Sequence, residues 1–402
     1  MQQLLTRYAA FFGLPDVLRL FTIALVARMP VGMMTFALLM HLRELSGSFA
    51  FAGGAVGSYL VAMACSAPVV GRVVDRYGPR GTLVLTGTMQ PLLLGLLLFA
   101  GPLGLTSATI ATITMAAGAF SPPISVLTRT LWRHRFDREE DRRTAYAVDS
   151  VLIEFNFTVG PALIALVLLI GTPAAALGLT LLFVVGAAPL FLLSPARRYW
   201  KLARDADRHL LGPLTEPRLL LTYATSAALT FGFGMLEVGY PGFGTALGSP
   251  ALGGALLAIC SIGSACGGLA YGGMHFSLPL ERQLPRFLLA MALPTAAQAF
   301  VDSPWVLGPL ALVAGLLIAP SLTALSLLVI RYAPGRYATE AFTWMSTCIV
   351  TGVGSGMAVG GQIVEAHGPP AAFVTAGAAG VVAAILSLSL RRGVLRSPGG
   401  PP

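Results

Sequence analysis

Polar residues interrupt this chain at long, regular intervals. Apolar stretches run at roughly 18–40, 49–70, 81–101, 106–131, 144–170 and 174–193, and again at 219–240, 250–273, 285–301, 305–330, 340–365 and 370–390. A helix crossing a bilayer needs about 20 mostly apolar residues. The pattern therefore predicts an all-α integral membrane protein with twelve transmembrane helices. Some turns are very short, such as Gly171 to Pro173 and Asp302 to Pro304. The one long polar interruption divides the spans six and six. It predicts an N-terminal bundle over 1–193, a central linker over 194–218, and a C-terminal bundle with a short tail over 219–402.

Composition supports the bilayer as solvent. The chain is 55% hydrophobic and 11% charged, against about 25% charged for a soluble domain. Its 46 glycines and 28 prolines suit close packing and local kinks in membrane helices. The net charge of +9 does not indicate nucleic acid, because the basic residues sit in short clusters between spans. Nearly all are arginine, with Lys201 the single lysine, a bias expected of a high-GC bacterium. The four cysteines form no CxxC pair and the five histidines no ligand spacing, so no metal and no cofactor is expected. Met1 to Asp16 shows no cleavable signal pattern.

The arginines set an orientation. Arg72, Arg76 and Arg80 follow the second span, and Arg133, Arg135, Arg138, Arg142 and Arg143 the fourth. The linker carries Arg197, Arg198, Lys201, Arg204 and Arg208. Arg282 and Arg286 follow the eighth span, Arg331 and Arg336 the tenth, and Arg391, Arg392 and Arg396 the last; the opposite loops hold only Arg43. The positive-inside rule then predicts a multi-pass protein of the bacterial plasma membrane with both termini cytoplasmic.

The halves echo each other. Gly53-Gly54-Ala55 opens the second span and Gly253-Gly254-Ala255 the eighth. Gly118 precedes Pro123 in the fourth span as Gly315 precedes Pro320 in the tenth. Thr144-Ala145-Tyr146 leads to Gly160 as Glu340-Ala341-Phe342 leads to Gly356. This order suggests a duplicated six-helix unit, hence two pseudo-symmetric bundles with a site between them.

Between the second and third spans lies Gly71-Arg72-Val73-Val74-Asp75-Arg76-Tyr77-Gly78-Pro79-Arg80. It resembles the loop signature of the major facilitator superfamily, Gly-x-x-x-Asp-Arg-x-Gly-Arg-Arg, departing at Pro79. The resemblance implies a cytoplasmic latch made by Gly71, Asp75, Arg76, Gly78 and Arg80. Gly71 would allow close helix approach and Asp75 would pair with an arginine or a helix start. The corresponding loop after the eighth span keeps Gly272 but lacks the Asp-Arg pair. In the fifth span, Gly160 and Pro161 are similar to the Gly-Pro kernel of the drug–proton antiporter signature. Asn156 stands where that signature has its first glycine. The resemblance favours the bacterial efflux branch, and the kernel also reads simply as a helix kink.

Charges at the middle of a span cost about 2.5–3.5 kcal/mol, so each is a functional candidate. Arg28 lies near the middle of the first span, on a face with Gly32 and Thr35. Glu154 lies near the middle of the fifth, with Ser150, Thr158 and Pro161 on its face, while Asp149 and Asn156 lie on another. Glu237 lies toward the outer end of the seventh, after a stripe of Thr222, Ser226 and Thr230. Gly239, Pro241, Gly242 and Gly244 follow it, and suggest an end able to unwind as a gate. Glu154, Glu237 and Asp149 are candidate proton carriers, and Arg28, Asn156, Thr35 and Thr230 candidate substrate or counter-ion residues, with Arg28 expected to face a carboxylate or an anionic substrate. Structural ion pairing is the competing reading for each charge. Glu340 and Glu365 read as span-end residues.

The expected function is proton-coupled secondary transport by alternating access, exporting a small apolar or amphipathic compound, with protons and lipid as the other partners and a monomer as the unit. Import or facilitated passage of a small anionic or polar metabolite is the alternative, and a non-transporting receptor a remote one. No convergent His, Asp, Cys or Ser constellation suggests an enzyme.

Overall fold

The computed structural model describes residues 11–194, 212–274, 278–333 and 338–392. Regular structure among them is helical. The first half contains α1 (Val17–Ser46), α2 (Phe49–Tyr77), α3 (Pro79–Leu98), α4 (Ser107–Ala119), α5 (Ile124–Arg135), α6 (Glu139–Ile170) and α7 (Pro173–Leu192). After the short 3-10 turn Gly212–Thr215, the second contains α8 (Pro217–Ala246), α9 (Pro250–Gly273), α10 (Leu280–Ala297), α11 (Pro304–Gly315), α12 (Ile318–Tyr332), α13 (Ala338–His367) and α14 (Pro369–Arg392). Most of the expected linker, and the tail after Arg392, lie outside the described residues.

The sequence punctuates these helices with few residue types. Prolines open α3, α7, α8, α9, α11 and α14, where the missing N–H costs nothing and φ is already helical. Ser48, Thr106 and Thr172 cap α2, α4 and α7 by accepting from Phe51, Thr109 and Ala175 N–H at 3.2, 3.3 and 3.2 Å. Gly78 joins α2 to α3 at φ 83°, a conformation that disfavours other residues. Pro79, the departure in the loop signature, is the first residue of α3, so the substitution fits a helix start.

Two expected spans prove to be broken. The fourth is interrupted between α4 and α5 by Phe120-Ser121-Pro122-Pro123, since neither proline can donate to the helix ladder. The tenth breaks between α11 and α12 at Leu316-Leu317. Counted as single spans, these and nine other helices are long and apolar enough to cross a membrane, making 11 among the described residues. The exception is α10, whose 18 residues include Glu281, Arg282 and Arg286. It starts earlier than the apolar run expected at 285 and carries its charges at the arginine-rich end. The Gly- and Pro-containing end of α8 is helical in this conformation. The helix continues to Ala246 with Gly239, Pro241, Gly242 and Gly244 buried, and a Cβ on Gly244 would press on Gly253 and Ser249 of α9.

Two of the three glycine echoes between the halves make corresponding helix crossings. A Cβ on Gly118 would strike the Tyr59 carbonyl on α2, and one on Gly315 the Cys260 carbonyl on α9. Gly160 lies on Gly32 of α1, and Gly356 on the Phe231 carbonyl of α8. The duplication is thus written in backbone contact: the second span crosses the fourth, and the first the fifth, in both halves. Gly32 is among the least tolerant, because a Cβ there would collide with the carbonyl of Asn156. Gly32→Val is expected to lower the melting temperature of the purified protein by several degrees, while Gly54→Val, at a position with no atom within 4 Å of a Cβ, should change it little.

The halves approach each other through α2 with α13 and α6 with α9. Gly53 and Gly57 lie against Met357, Gly361, Gly354 and Ala358, and Gly254 lies against Phe36, Pro161 and Ala165. All of these positions fall on the side away from the arginine-rich loops. There Glu365 of α13 also accepts a hydrogen bond from the Phe49 N–H at 2.8 Å. A carboxylate of one half thus caps the N-terminus of a helix in the other, where the helix dipole favours negative charge. Toward the arginine-rich side, Gly71 and Gly272 have no neighbour within 4 Å of a Cβ.

Glu365 therefore has a role beyond that of a span-end residue. Because it is partly in water, its contribution is modest. Glu365→Ala is expected to raise severalfold the rate at which Thr230→Cys, in a background without native cysteines, reacts with a membrane-impermeant maleimide added on the Glu365 side. An unchanged rate would remove Glu365 from the seal.

Candidate functional site

A cavity of about 380 Å³ lies between the halves. Both broken spans reach it: Ser121 and Pro122 from the α4–α5 break, and Ala314 and Ile318 beside the α11–α12 break. Interrupted spans at matching places in two halves can turn backbone and polar side chains toward a central site. Most of the wall is apolar, with Met34, Met63, Leu229, Leu236, Leu257 and Met291 among its residues. A few polar groups are set into it.

Each half contributes one carboxylate. Glu154 projects from α6 on a face shared with Phe157 and Pro161, and Glu237 projects from α8. Glu237 is 9% exposed and lies beside the Thr35 hydroxyl of α1, so this approach spans the two halves. Gln90 Nε2 donates to the Tyr59 hydroxyl at 3.1 Å and to the Ala117 carbonyl at 3.3 Å, and Ser121 lies beside Tyr59. Thr230, Ser261, Ser264 and Thr295 are the neutral polar groups of the second half on the wall.

Four sequence candidates thus meet here: Glu154, Glu237, Thr35 and Thr230. Of the expected polar stripe, only Thr230 reaches the cavity; Thr222 and Ser226 are fully buried and donate to carbonyls one turn back, at 2.8 and 2.9 Å. Among the aromatics, Phe157 and Phe233 line the wall, whereas Phe155 is 46% exposed on the outer surface.

Arg28 faces a carboxylate, one of its two expected partners, but that carboxylate is Asp149 and not a group on the cavity wall. Arg28 is 1% exposed and off the cavity wall. Its Nη1 donates to Asp149 Oδ1 at 2.6 Å and its Nη2 to the Ser125 carbonyl at 3.1 Å. Trp132 Nε1 donates to the same Asp149 oxygen at 2.8 Å, and Arg129 Nε reaches Oδ2 at 3.4 Å. With both oxygens engaged and no opening to the cavity, Asp149 ties α1, α5 and α6 together. Asp149 thus lies on a different face of α6 from Glu154, as expected from their five-residue separation along a helix. Asn156 is also buried behind the wall, with its backbone carbonyl against Gly32. Gly160 and Pro161 both serve helix packing, and Pro161 also touches the cavity.

In the loop signature, Gly78 and Pro79 have clear backbone roles, while Arg76 and Arg80 are exposed and Arg76 lies over the Tyr77 ring at 5.3 Å. The Asp75 side chain lies outside the described residues. Gly71 packs against no other helix here, so the close approach expected of it is not made in this conformation.

Over residues 20–352 the sequence matches the Major Facilitator Superfamily. The chain belongs to this family. No curated protein matches the sequence. The nucleoside transporter NupG is similar in fold: the structure of a point variant superposes with a TM-score of 0.78 at 14% identity, over 93% of this chain and 99% of that one. A bacterial homologue of the human lysosomal transporter Spinster, in an inward-facing and unoccupied conformation, gives a TM-score of 0.69 at 14% identity, over 95% of this chain and 98% of that one. The major facilitator fold of two six-helix bundles, transport of small molecules across a membrane and the absence of enzymatic chemistry follow from this membership. Tyr59 and Gln90 are the site residues that sequence reasoning did not resolve. The available signal was a pair of hydrogen-bonding side chains inside apolar spans.

Proposed function

We propose that this protein is a proton-coupled secondary transporter that exports a small apolar or amphipathic compound from a bacterial cell by alternating access. The observation that carries the proposal is the mostly apolar cavity with one carboxylate from each half. A carboxylate in such a wall is costly when charged and uncompensated. It therefore favours occupation by a proton or by a ligand group that replaces the proton. Coupling requires the two ligands to compete or to favour different conformations, since a ligand that binds both states equally shifts nothing.

With the arginine-rich loops placed in the cytoplasm by the positive-inside rule, the close contacts through Gly53, Gly57 and Gly254 lie on the outer side, and the cavity is poised toward the inside. Outward opening would part those contacts and break the Glu365–Phe49 and Glu237–Thr35 links. It would also bring the loop-signature residues Asp75, Arg76 and Arg80 toward the other half. The Gly160-Pro161 kernel, similar to that of drug–proton antiporters, supports export.

Reconstituted liposomes with an imposed pH gradient test the proposal. Export coupling predicts that a transported probe moves against the proton flux and that collapsing the gradient stops uphill movement. Movement with the protons would instead favour the second reading, import of a polar metabolite, which the hydrogen-bonded Tyr59, Gln90 and Ser121 group supports.

A further inference from the structure

The cavity wall contains two carboxylates and, among the described residues, no arginine, lysine or histidine. From this imbalance we infer that the transported ligand is an organic monocation with an apolar body, whose charged head is taken by Glu237 and Glu154. The inference rests on the reading of this chain as a secondary transporter and adds the class of its substrate.

The sequence alone left room for an anion, because Arg28 lies near the middle of the first span. The structure removes that possibility on geometric grounds. The Arg28 guanidinium is spent on Asp149 and on the Ser125 carbonyl, behind the wall. An anion in the cavity would meet two carboxylates and no compensating charge. A cation meets the opposite situation, and in an apolar enclosure each such contact counts for more than it does in water.

The surroundings of each carboxylate agree. Glu237 faces Thr35 from α1, with Leu257 and Ser261 from α9 and Ala376 from α14 also on the wall; none of these is basic. On the first-half side, Ser125 and Ile124 from α5, Pro30 and Val31 from α1, and Phe157 from the same helix line the wall with Glu154; none is basic. Tyr59 is the remaining titratable group on the wall, and its hydroxyl accepts from Gln90. The faces of Tyr59, Phe157 and Phe233 offer further attraction to a cation, and the methionines and leucines supply surface for its apolar body. The volume, about 380 Å³, is at the lower end of the range for drug-sized ligands. Because proton and cation compensate the same carboxylates, a bound monocation takes the place of one proton, which is the linkage an antiporter needs.

The test uses ions of similar shape and opposite charge. Purified protein in lipid nanodiscs is titrated with tetraphenylphosphonium, with tetraphenylborate, and with the smaller benzyltrimethylammonium, and proton release is followed in weak buffer. At least one cation should bind, tetraphenylborate should not compete with it, and binding should weaken as pH falls and release protons. Glu237→Gln and Glu154→Gln should each weaken cation binding by about tenfold or more, the scale of one lost charge contact in an enclosed site, while remaining monodisperse and melting cooperatively. Binding of the borate in preference to both cations, failure of both cations to bind folded wild-type protein, or cation binding unaffected by both substitutions would each overturn the inference. Failure of proton coupling is separable: cation binding without proton release, and flux indifferent to a pH gradient, would retain the substrate class and reject the antiport mechanism. Anion flux driven by a pH gradient would do the reverse.

Discussion

Glu154→Gln and Glu237→Gln are each expected to abolish pH-driven uphill transport while leaving exchange of labelled for unlabelled substrate measurable. Glutamine keeps the size and hydrogen-bonding capacity of the protonated acid, so the cavity retains its shape. What it removes is the ability to change protonation during the cycle. A carrier locked in the neutral form can still reorient with ligand bound, so counterflow persists, though with weaker substrate affinity if the ligand is a cation. The two sites should also differ. Glu237 lies beside Thr35 of the other half, so its neutralisation should additionally shift the balance between the two access states, read by maleimide labelling of Thr230→Cys from either side. Glu154 makes no hydrogen bond or ion pair to the other half among the described residues, and its neutralisation should leave that balance near wild type. Normal uphill transport by Glu154→Gln would remove it from coupling and leave Glu237 as the single proton carrier. Normal uphill transport by both variants would reject proton coupling through this cavity.

The helices were legible in the sequence because a bilayer imposes a length and a composition on whatever crosses it. The breaks were less so. Pro122-Pro123 lies inside an apolar run, and hydropathy does not register a missing N–H donor. The charges in α10 sit at the interface, where arginine and glutamate are tolerated; there Arg331 donates to Glu281 at 2.9 Å. The repeated glycines were visible as a pattern, but only three dimensions show that Gly118 with Gly315, and Gly160 with Gly356, support matching crossings. The candidate site was half legible. Buried carboxylates at Glu154 and Glu237 could be picked out because charge inside an apolar span is rare. The partners could not, since they come from distant segments: Thr35 meets Glu237 across the two halves, Arg28 meets Asp149 across 121 residues, and Glu365 meets Phe49 across 316. Periodicity tells which side of a helix a residue occupies. It does not say which helix lies opposite.

Asp149→Ala is expected to be the most destabilising single change in the chain, by about 3–5 kcal/mol, the cost of leaving a buried charge unpaired. The side chains of Arg28 and Asp149 are both 1% exposed and 2.6 Å apart. Removing Asp149 leaves the Arg28 Nη1 and the Trp132 Nε1 without acceptors and sets Arg28 and Arg129 beside each other with no intervening anion. Trp132 is itself fully buried and stacked on Phe21 at 4.2 Å, so loss of its acceptor disturbs the packing of α5 against α1. This matters for function because α5 continues from the break that lines the cavity: Ser125, whose carbonyl Arg28 holds, is on the wall. The expected result is poor accumulation in the membrane and a large drop in melting temperature. Asp149→Asn should be milder, since the amide oxygen can still accept from Trp132, but it loses the charge that balances Arg28. The decisive variant is the double substitution Arg28→Met with Asp149→Leu. If the pair is structural, replacing both charges with apolar side chains should recover much of the stability that either single change loses, together with ligand binding. If the double variant is stable yet transports nothing, Arg28 and Asp149 serve the transport cycle as well as the fold.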